Sequence, residues 1–339
     1  MLTLTEVLGT AGPLAGRVPG FHARAAQQAM AEEVARTLDE QGILLCEAGT
    51  GTGKTFAYLA PALLADRRVV ISTGTRNLQD QLFHRDLPLV RDALAVPVHA
   101  ALLKGRANYL CLQRLQQHTA LPFDGTDEIA GHLESIRAWA GVTRTGDRAE
   151  LAAVPEASPA WRLATSTSDN CLGSECPHYE DCFLLKARRE AQDADVVVVN
   201  HHLLFADMQL RQEGFGELLP GAEAIIVDEA HQLPELATRA FGTTLASGQL
   251  AELARDAARA YESEAGDVPG FTERTRALAG SVDALRDVLA ERLAGAAQRL
   301  AWDQIGDEPV VTRAVAALAG ALEALDEALA PLAERGRQL

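Results

Sequence analysis

The sequence predicts an α/β fold with a parallel sheet, which a cysteine-containing segment interrupts and an alanine- and leucine-rich segment follows. Short apolar runs alternate with helical stretches along the chain. The runs lie at residues 42–46, 68–72, 97–103, 195–199 and 224–227. Runs of this length that are rich in valine or isoleucine suit strands buried on both faces, and their alternation with helices is typical of α/β proteins.

The first elements in the chain are an amphipathic helix over residues 24–40 and a strand over 42–46, whose sequence is GILLC. The strand is predicted because a short apolar run here leads directly into a glycine-rich loop. Cys46 ends that run, so we expect it to be a small buried core residue.

A phosphate-binding loop follows the strand with the sequence AGTGTGKT, in which Ala48 stands where the first glycine of the pattern usually is. Glycines let the backbone N–H groups point at phosphate oxygens, and the helix that starts here adds its positive dipole end. We expect Lys54 to reach the β- and γ-phosphates and Thr55 to offer its hydroxyl to Mg²⁺. The predicted phosphate-loop residues are Ala48, Gly49, Thr50, Gly51, Thr52, Gly53, Lys54 and Thr55.

An acidic pair follows the last apolar run, in the sequence IIVDEAH at residues 225–231. Asp228 at a strand end can bind Mg²⁺, usually through water, and Glu229 is then placed to orient or deprotonate the attacking water. Together with the phosphate loop this pair predicts a nucleoside triphosphatase of the DEAH-box type, with Lys54, Asp228 and Glu229 as its catalytic residues.

Four of the five cysteines, Cys111, Cys171, Cys176 and Cys182, lie between the third and fourth apolar runs. Four thiolates from one small lobe can enclose a [4Fe–4S] cluster. Zinc is the alternative metal, although the paired C-x2-C knuckles of zinc ribbons are absent, and unligated thiols are a third reading. His178 lies among these cysteines, and we expect it beside the site or at the surface.

The charge balance excludes nucleic-acid binding through bulk positive charge. The chain has 31 basic and 47 acidic residues, a formal net charge of −16, so any contact with nucleic acid must be local. His201 and His202 follow a predicted strand end, where they could contact DNA, join a nucleotide-sensing network or make structural hydrogen bonds. The sequence has neither a secretory signal nor a run of 18 apolar residues, which predicts a cytoplasmic protein without a membrane segment.

Beyond residue 245 the sequence changes to a helical character. Two apolar stripes at helical spacing, Leu278–Leu293 and Val315–Leu332, flank a turn at 306–309. They predict an antiparallel helical hairpin whose apolar faces pack on each other.

These motifs together resemble the XPD/DinG family of iron–sulfur, superfamily-2 DNA helicases, and more narrowly its bacterial DinG/YoaA branch. The resembling phrases follow one another in order from residue 20 to about residue 240. They are RAAQQAM (24–30), EAGTGTGKT (47–55), ISTGTRNLQDQL (71–82), KGRANYLC (104–111), VVVVNHHLL (196–204) and VDEAHQL (227–233). The C-x4-C-x5-C spacing is that of the bacterial branch, whereas the helical tail resembles the family's Arch domain by position and character only.

The resemblance implies a monomeric ATP-dependent helicase that binds single-stranded or forked DNA and unwinds DNA 5′→3′, in DNA repair or in resolving replication conflicts. It implies ATP, Mg²⁺ and a [4Fe–4S] cluster as cofactors, with the four cysteines as cluster ligands and one DNA strand threaded between cluster domain and Arch. Arg24 and Gln27 would contact the adenine. The implied DNA-contacting residues are Thr73, Gly74, Thr75, Arg76, Lys104 and Arg106, of which the last two could instead form a solvated surface pair.

The resemblance also divides the chain into domains. It predicts a RecA-like P-loop domain at 1–104 and 192–240, an iron–sulfur insertion at 105–191 and a helical Arch-like domain at 241–339. Neither the family's motif III nor a second RecA-like domain with an arginine finger is found, so we expect an N-terminal portion that hydrolyses ATP at most slowly by itself. Two alternatives are a non-catalytic DNA-binding or scaffolding module and a zinc-stabilised ATPase without unwinding activity.

Overall fold

The computed structural model describes residues 3–119, 127–213, 218–264, 269–293 and 300–330. The chain forms two compact units, Met1–Gly242 and Thr243–Leu339. The strands are β1 Val69–Thr73, β2 Ala100–Leu102, β3 Val196–Asn200 and β4 Ala224–Val227.

Helices surround these strands in the first unit and make up the second. The first unit contains α1 Leu4–Val7, α2 Ala25–Glu40, α3 Lys54–Leu64, α4 Arg76–Gln81, α5 Leu87–Leu94, α6 Leu112–Thr119, α7 Asp127–Ala140, α8 Ala160–Ala164, α9 Phe183–Asp193, α10 His201–Glu213 and α11 Leu233–Ala240. The second contains α12 Ser247–Glu264, α13 Phe271–Leu293, α14 Trp302–Ile305 and α15 Pro309–Leu329. A π-helical turn, Leu82–Asp86, joins α4 to α5.

The sheet of the first unit is parallel throughout and has the strand order β2-β3-β1-β4. Val69 at the start of β1 lies opposite Val196 of β3 and Ala224 of β4. The predicted α/β fold with a parallel sheet is therefore confirmed, and four of the five apolar runs coincide with its strands.

β1 and β3 are buried along their whole length, as expected for valine-rich strands covered on both faces. On one face, Val69 and Ile71 pack in a cluster with residues of α1, α2, α3 and α5. On the other face, Val70 and Val197 pack with residues of α9 and α10. The helices thus fix the two central strands, and with them the positions where these strands end.

The remaining apolar run, residues 42–46, is not a strand, so that prediction is wrong. Ile43 and Leu45 are exposed, and so is Cys46, which we expected in the core. β4 pairs with β1 along one edge, and its other edge has no strand partner among the described residues. Because the run makes no ladder hydrogen bonds there, its apolar side chains are not held between the sheet's two helical layers.

The segment that carries four of the cysteines has its own hydrophobic cluster. The cluster contains Tyr109, Ile136 and Phe183, together with Trp139 and Trp161, whose rings meet edge to face at 6.1 Å. We call residues 105–191 the cysteine lobe.

Two distant segments of the cysteine lobe meet near Gly146, whose backbone carbonyl accepts a hydrogen bond from the Leu110 N–H at 2.8 Å. Gly146 has φ 66° and lies against the Phe183 ring, where any Cβ would overlap that ring. The lobe's status as an iron–sulfur insertion stays a prediction.

The second unit consists of helices that pack through their apolar stripes. Leu278 and Val282 of α13 share a buried cluster with Leu318 and Leu325 of α15. The rings of Tyr261 and Phe271 stack with centroids 4.6 Å apart. Leu332, the last residue of the predicted stripe, lies outside the described residues. Within the described ranges, none of the helices combines the length and the apolar sequence needed to span a bilayer.

Cysteine accessibility tests the corrected position of residues 42–46. Because Cys46 is exposed while the other four cysteines are only half-exposed, iodoacetamide should modify Cys46 first in the native protein. Peptide mass spectrometry after brief labelling measures this order, and Cys46→Ser should remove the fast phase. If Cys46 is modified only after denaturation, the original prediction of a buried strand at residues 42–46 is correct.

Candidate active site

The carboxyl ends of the parallel strands bring several of the sequence motifs to one edge of the sheet. β1 ends at Thr73, β3 at Asn200 and β4 at Val227, directly before Asp228. The Asp228 N–H donates to the Ser72 carbonyl at 2.9 Å, which extends the β1–β4 pairing by one residue. The acidic pair is therefore tied to the end of the neighbouring strand.

The phosphate loop curls through two glycines with left-handed backbones. Gly51 has φ 78° and Gly53 has φ 83°, and α3 starts at Lys54 immediately after them. The Lys54 ammonium donates to the Ala48 carbonyl at 3.1 Å, so its side chain reaches back across the loop. A curled backbone at a helix N-terminus, with a lysine across it, is an arrangement that can bind phosphate.

Gln27, predicted to contact adenine, lies beneath this loop. It is buried, and its amide donates to the Gly53 carbonyl at 2.9 Å. A Cβ on Gly53 would overlap that amide, so glycine is required here by contact as well as by φ. Arg24 is exposed just before α2. A cavity of about 430 Å³ between α2 and the loop includes Met30 and Gly49 in its lining.

Asp228 is held by two hydrogen bonds. The Tyr58 hydroxyl donates to Asp228 Oδ2 at 3.2 Å, and the Glu229 N–H donates to Oδ1 at 3.0 Å. Burial raises the pKa of Asp228, and the neighbouring Glu229 charge raises it further, whereas these two hydrogen bonds and Lys54 act in the opposite direction. A bound cation would favour the ionised carboxylate.

Tyr58 is a site residue that sequence reasoning missed. Burial, and then the charge of Asp228, raise the pKa of Tyr58 well above its ordinary value, so it stays a neutral donor. Its hydroxyl also interacts with the Thr55 side chain. Tyr58 thus joins Thr55 of the loop to Asp228 of the acidic pair. The available signal was spacing, because a residue three positions after Thr55 lies on the same helix face.

Glu229 and His201 occupy opposite environments beside Asp228. Glu229 has φ 55° and its carboxylate lies 3.3 Å from His231 Nδ1, partly exposed. His201 is fully buried, with Nδ1 2.7 Å from the Ser72 hydroxyl, and burial lowers its pKa. Of the roles left open for His201, the structure favours structural hydrogen bonding. His202 is exposed.

The predicted DNA-contacting turn packs against the segment that follows the acidic pair. Thr73 is buried and its hydroxyl donates to the Thr75 carbonyl at 3.3 Å, while the Thr75 hydroxyl accepts from the Leu78 N–H and caps α4. A Cβ on Gly74 would come within 2.5 Å of the Gln232 side chain. The turn is therefore coupled by contact to the acidic motif, and its role at DNA stays a prediction.

Arg76, at the start of α4, reaches into the cysteine lobe. Its guanidinium donates to Asn108 Oδ1 at 3.2 Å and lies 3.0 Å from Glu156 Oε2. Arg106 is half-buried in the short helical turn Arg106–Asn108, and its DNA contact stays a prediction.

The position of Lys104 fits neither of the two roles considered from the sequence, a contact with DNA phosphate and a solvated surface residue. Its side chain is only 3% exposed, and its ammonium lies 2.6 Å from both Asp80 Oδ1 and Asp147 Oδ2. Asp80 belongs to α4 and Asp147 to the cysteine lobe. Two carboxylates therefore neutralise this cation inside the protein, where it joins the lobe to α4 and is withheld from a DNA backbone.

The four cysteines of the lobe are each half-buried. Burial raises the pKa of the Cys111 thiol; hydrogen bonds from Arg114 and Ser166 lower it, and nearby Cys176 and Cys171 raise it further. Across the described ranges, no three His, Cys, Asp or Glu side chains are grouped as a metal-ion site. The His178 Nε2–H donates to Gln116 Oε1 at 2.7 Å, beside the cysteines. The donor set, four thiols in one lobe, nevertheless has the chemistry that an iron–sulfur cluster requires.

The position of Lys104 can be tested by removing its charge. Lys104→Met should lower the free energy of unfolding by about 3–5 kcal/mol, because Asp80 and Asp147 would face each other as unpaired, partly buried charges. Neutralising all three residues (Asp80→Asn, Lys104→Met, Asp147→Asn) should recover most of this loss. Chemical denaturation measures the effect, with the exposed Lys186→Met as control. If Lys104→Met leaves the stability unchanged but weakens DNA binding, Lys104 is a DNA-contacting residue after all.

Comparison with known proteins identifies a helicase domain. Residues 24–134 match the DEAD/DEAH box helicase family. The chain is 49% identical over 288 residues to the ATP-dependent DNA helicase YoaA of Escherichia coli K12, covering 85% of the chain and 45% of that protein. It is 35% identical over 303 residues to the ATP-dependent helicase DinG of Mycobacterium tuberculosis H37Rv, covering 79% and 44% respectively.

Among solved structures, the chain aligns with a truncated XPD at a TM-score of 0.40 and 16% identity, over 88% of this chain and 81% of the other. The chain spans less than half the length of the curated relatives described above. The chain therefore contains a DEAD/DEAH box helicase domain, and over most of its length it is similar to the helicases YoaA and DinG.

Proposed function

We propose that the chain provides the ATP-binding and DNA-gripping part of an ATP-dependent DNA helicase. The observation that carries this proposal is the contact of Tyr58 with both Thr55 and Asp228. Tyr58 and Asp228 are 170 residues apart in sequence, and their contact brings the phosphate loop and the acidic pair to one nucleotide site. The YoaA and DinG relatives are named ATP-dependent helicases, which supports the same activity here.

In this proposal the loop glycines and the start of α3 bind the phosphates, and Lys54 leaves the Ala48 carbonyl to meet the β- and γ-phosphates. Thr55 and Asp228 hold Mg²⁺, which neutralises phosphate charge when bound. The Thr55 and Asp228 side chains fit this role because they are oxygen donors already linked through one hydroxyl. Glu229 orients and deprotonates the attacking water.

Coupling to DNA runs through the turn at residues 73–76. Gly74 contacts Gln232, four residues beyond Asp228, so a shift of the acidic motif on hydrolysis would move the turn that binds the strand. We propose 5′→3′ movement, a strand threaded past the cysteine lobe, and a role in repair or replication conflicts, as the family resemblance implies. The Thr55–Tyr58–Asp228 contact is expected of a catalytic nucleotide site, and it supports the helicase over the alternative of a non-catalytic binding module.

We further propose that Cys111, Cys171, Cys176 and Cys182 bind a [4Fe–4S] cluster. Support comes from the thiol donor set, from its confinement to one lobe and from the proximity of Cys111 to Cys171 and Cys176. The cluster would cross-link the lobe's loops, since the lobe's own apolar core is small.

ATP binding by the chain tests the nucleotide site. Lys54→Ala should weaken ATP–Mg²⁺ binding about 10- to 100-fold, because it removes a charged hydrogen bond to phosphate. Glu229→Gln should bind ATP as the wild type does, because Glu229 acts on the attacking water. Isothermal titration calorimetry measures both, with the exposed Lys186→Ala as the matched control. Equal affinity of Lys54→Ala and Lys186→Ala would overturn the assignment.

Iron and acid-labile sulfide content tests the cluster. Anaerobically purified wild-type protein should contain both, and Cys171→Ser should lose them, because three thiolates leave an iron coordination site open. Cys46→Ser is the matched control and should keep the cluster, since Cys46 lies outside the lobe. Zinc in place of iron in the wild type, or wild-type iron in Cys171→Ser, would contradict the ligand set.

A further inference from the structure

A pair of arginines faces the junction between α4 and the cysteine lobe. Arg76 starts α4, one helical turn before Asp80, and so lies on the same helix face as Asp80. Arg148 immediately follows Asp147 in the lobe. Because Asp80 and Asp147 bind the same Lys104 ammonium at 2.6 Å, the two arginines are brought to one place from two different elements.

Arg148 lacks the partners that a guanidinium normally has in a folded protein. Its Nε is buried without a hydrogen-bond partner among the described residues. Burial lowers the pKa of Arg148, and the nearby positive charge of Arg76 lowers it further, with Glu156 and Asp147 offsetting part of this. A buried donor without an acceptor is costly, and the Arg148 side chain as a whole is only half-buried, so this guanidinium has donor capacity that the described residues do not use.

The carboxylates at this junction do not fill that need. Asp80 and Asp147 are already bound to Lys104, which leaves Glu156 as the acid that faces the two guanidiniums. Glu156 lies 3.0 Å from Arg76 and its side chain is 57% exposed. An exposed ion pair is weak and easily opened, so Glu156 can move aside for a stronger acceptor.

We propose that Arg76 and Arg148 form one binding site for a backbone phosphate of a single DNA strand, and that Glu156 occupies this site until the strand displaces it. A backbone phosphodiester carries one negative charge over two non-bridging oxygens, which can accept N–H donors from both guanidiniums. The inference rests on the proposed DNA-binding function and adds to it a contact from the lobe, Arg148, together with a competing carboxylate.

The fixed position of Arg148 follows from its neighbours. Asp147 accepts the Ala149 N–H at 3.0 Å and starts the short helical turn Arg148–Glu150. The same carboxylate is bound to Lys104, so the backbone beside Arg148 is held against α4. Arg148 is therefore held in position before DNA binds, whereas Glu156 lies in an exposed segment and is the residue that moves.

Binding of a fluorescent oligo-dT to the full 339-residue chain, measured over a range of salt concentrations, tests the proposal. Arg148→Gln should weaken binding about fivefold or more at low salt and reduce the salt slope by about 0.7, the value for one phosphate contact on a single strand. Arg148→Lys should recover part of the affinity. Glu156→Gln should strengthen binding, by about threefold or more, because it removes the competing carboxylate.

Matched controls separate these effects from general electrostatics. Arg162→Gln and Glu134→Gln change exposed charges elsewhere in the lobe and should alter affinity little. The inference is overturned if Arg148→Gln binds oligo-dT as tightly as Arg162→Gln does, or if Glu156→Gln binds it no more tightly than Glu134→Gln does. Neither result would overturn the proposed DNA-binding function. If Arg148→Gln fails to fold, the Glu156→Gln comparison decides. A wild-type chain that does not bind oligo-dT at all would overturn the proposed function, and this inference with it.

Discussion

The parallel pairing of β1 with β3 and β4 is the constraint on which the candidate site depends. Parallel strands end at the same edge of a sheet, so the turn after β1, the buried histidine after β3 and the acidic pair after β4 are brought together whatever their separation in sequence. β1 and β3 are buried on both faces, so their packing against helices on each side holds these strands in place. Precision at the site is thus a consequence of core packing.

Two polar links then connect this edge to the rest of the first unit. The Tyr58 hydroxyl joins α3 to Asp228, and the Lys104 ammonium joins α4 to the cysteine lobe. Both are nearly inaccessible to water, where a lost partner is most costly. α3 carries the phosphate-loop lysine and α4 follows the predicted DNA turn. The first link therefore fixes the acidic pair to the phosphate-loop helix, and the second fixes the cysteine lobe to the helix that follows the predicted DNA turn.

The sequence was sufficient for the parallel sheet and for the order of the motifs, because valine-rich runs and glycine loops report local structure directly. It was misleading at 42–46 and at Lys104. An apolar run shows that burial is favourable but does not show which neighbour supplies it, and Ile43 has none in the described chain. Lys104 was assigned by its place beside a cysteine. Its partners, Asp80 and Asp147, are 24 and 43 residues away in sequence, and only the fold brings them close.

The acidic composition of the chain limits which of its cations can bind DNA. A chain with a net charge of −16 repels a polyanion at long range, so DNA must be bound by cations whose charge is not already neutralised by the protein. Lys104 fails that condition, since two carboxylates hold it. Arg148 is the cation that we propose for this role, since the carboxylate of Glu156 beside it is exposed and its own Nε lacks an acceptor in the described part of the chain. Proximity to a motif is thus a poorer guide to DNA contact than the balance of charge around each cation.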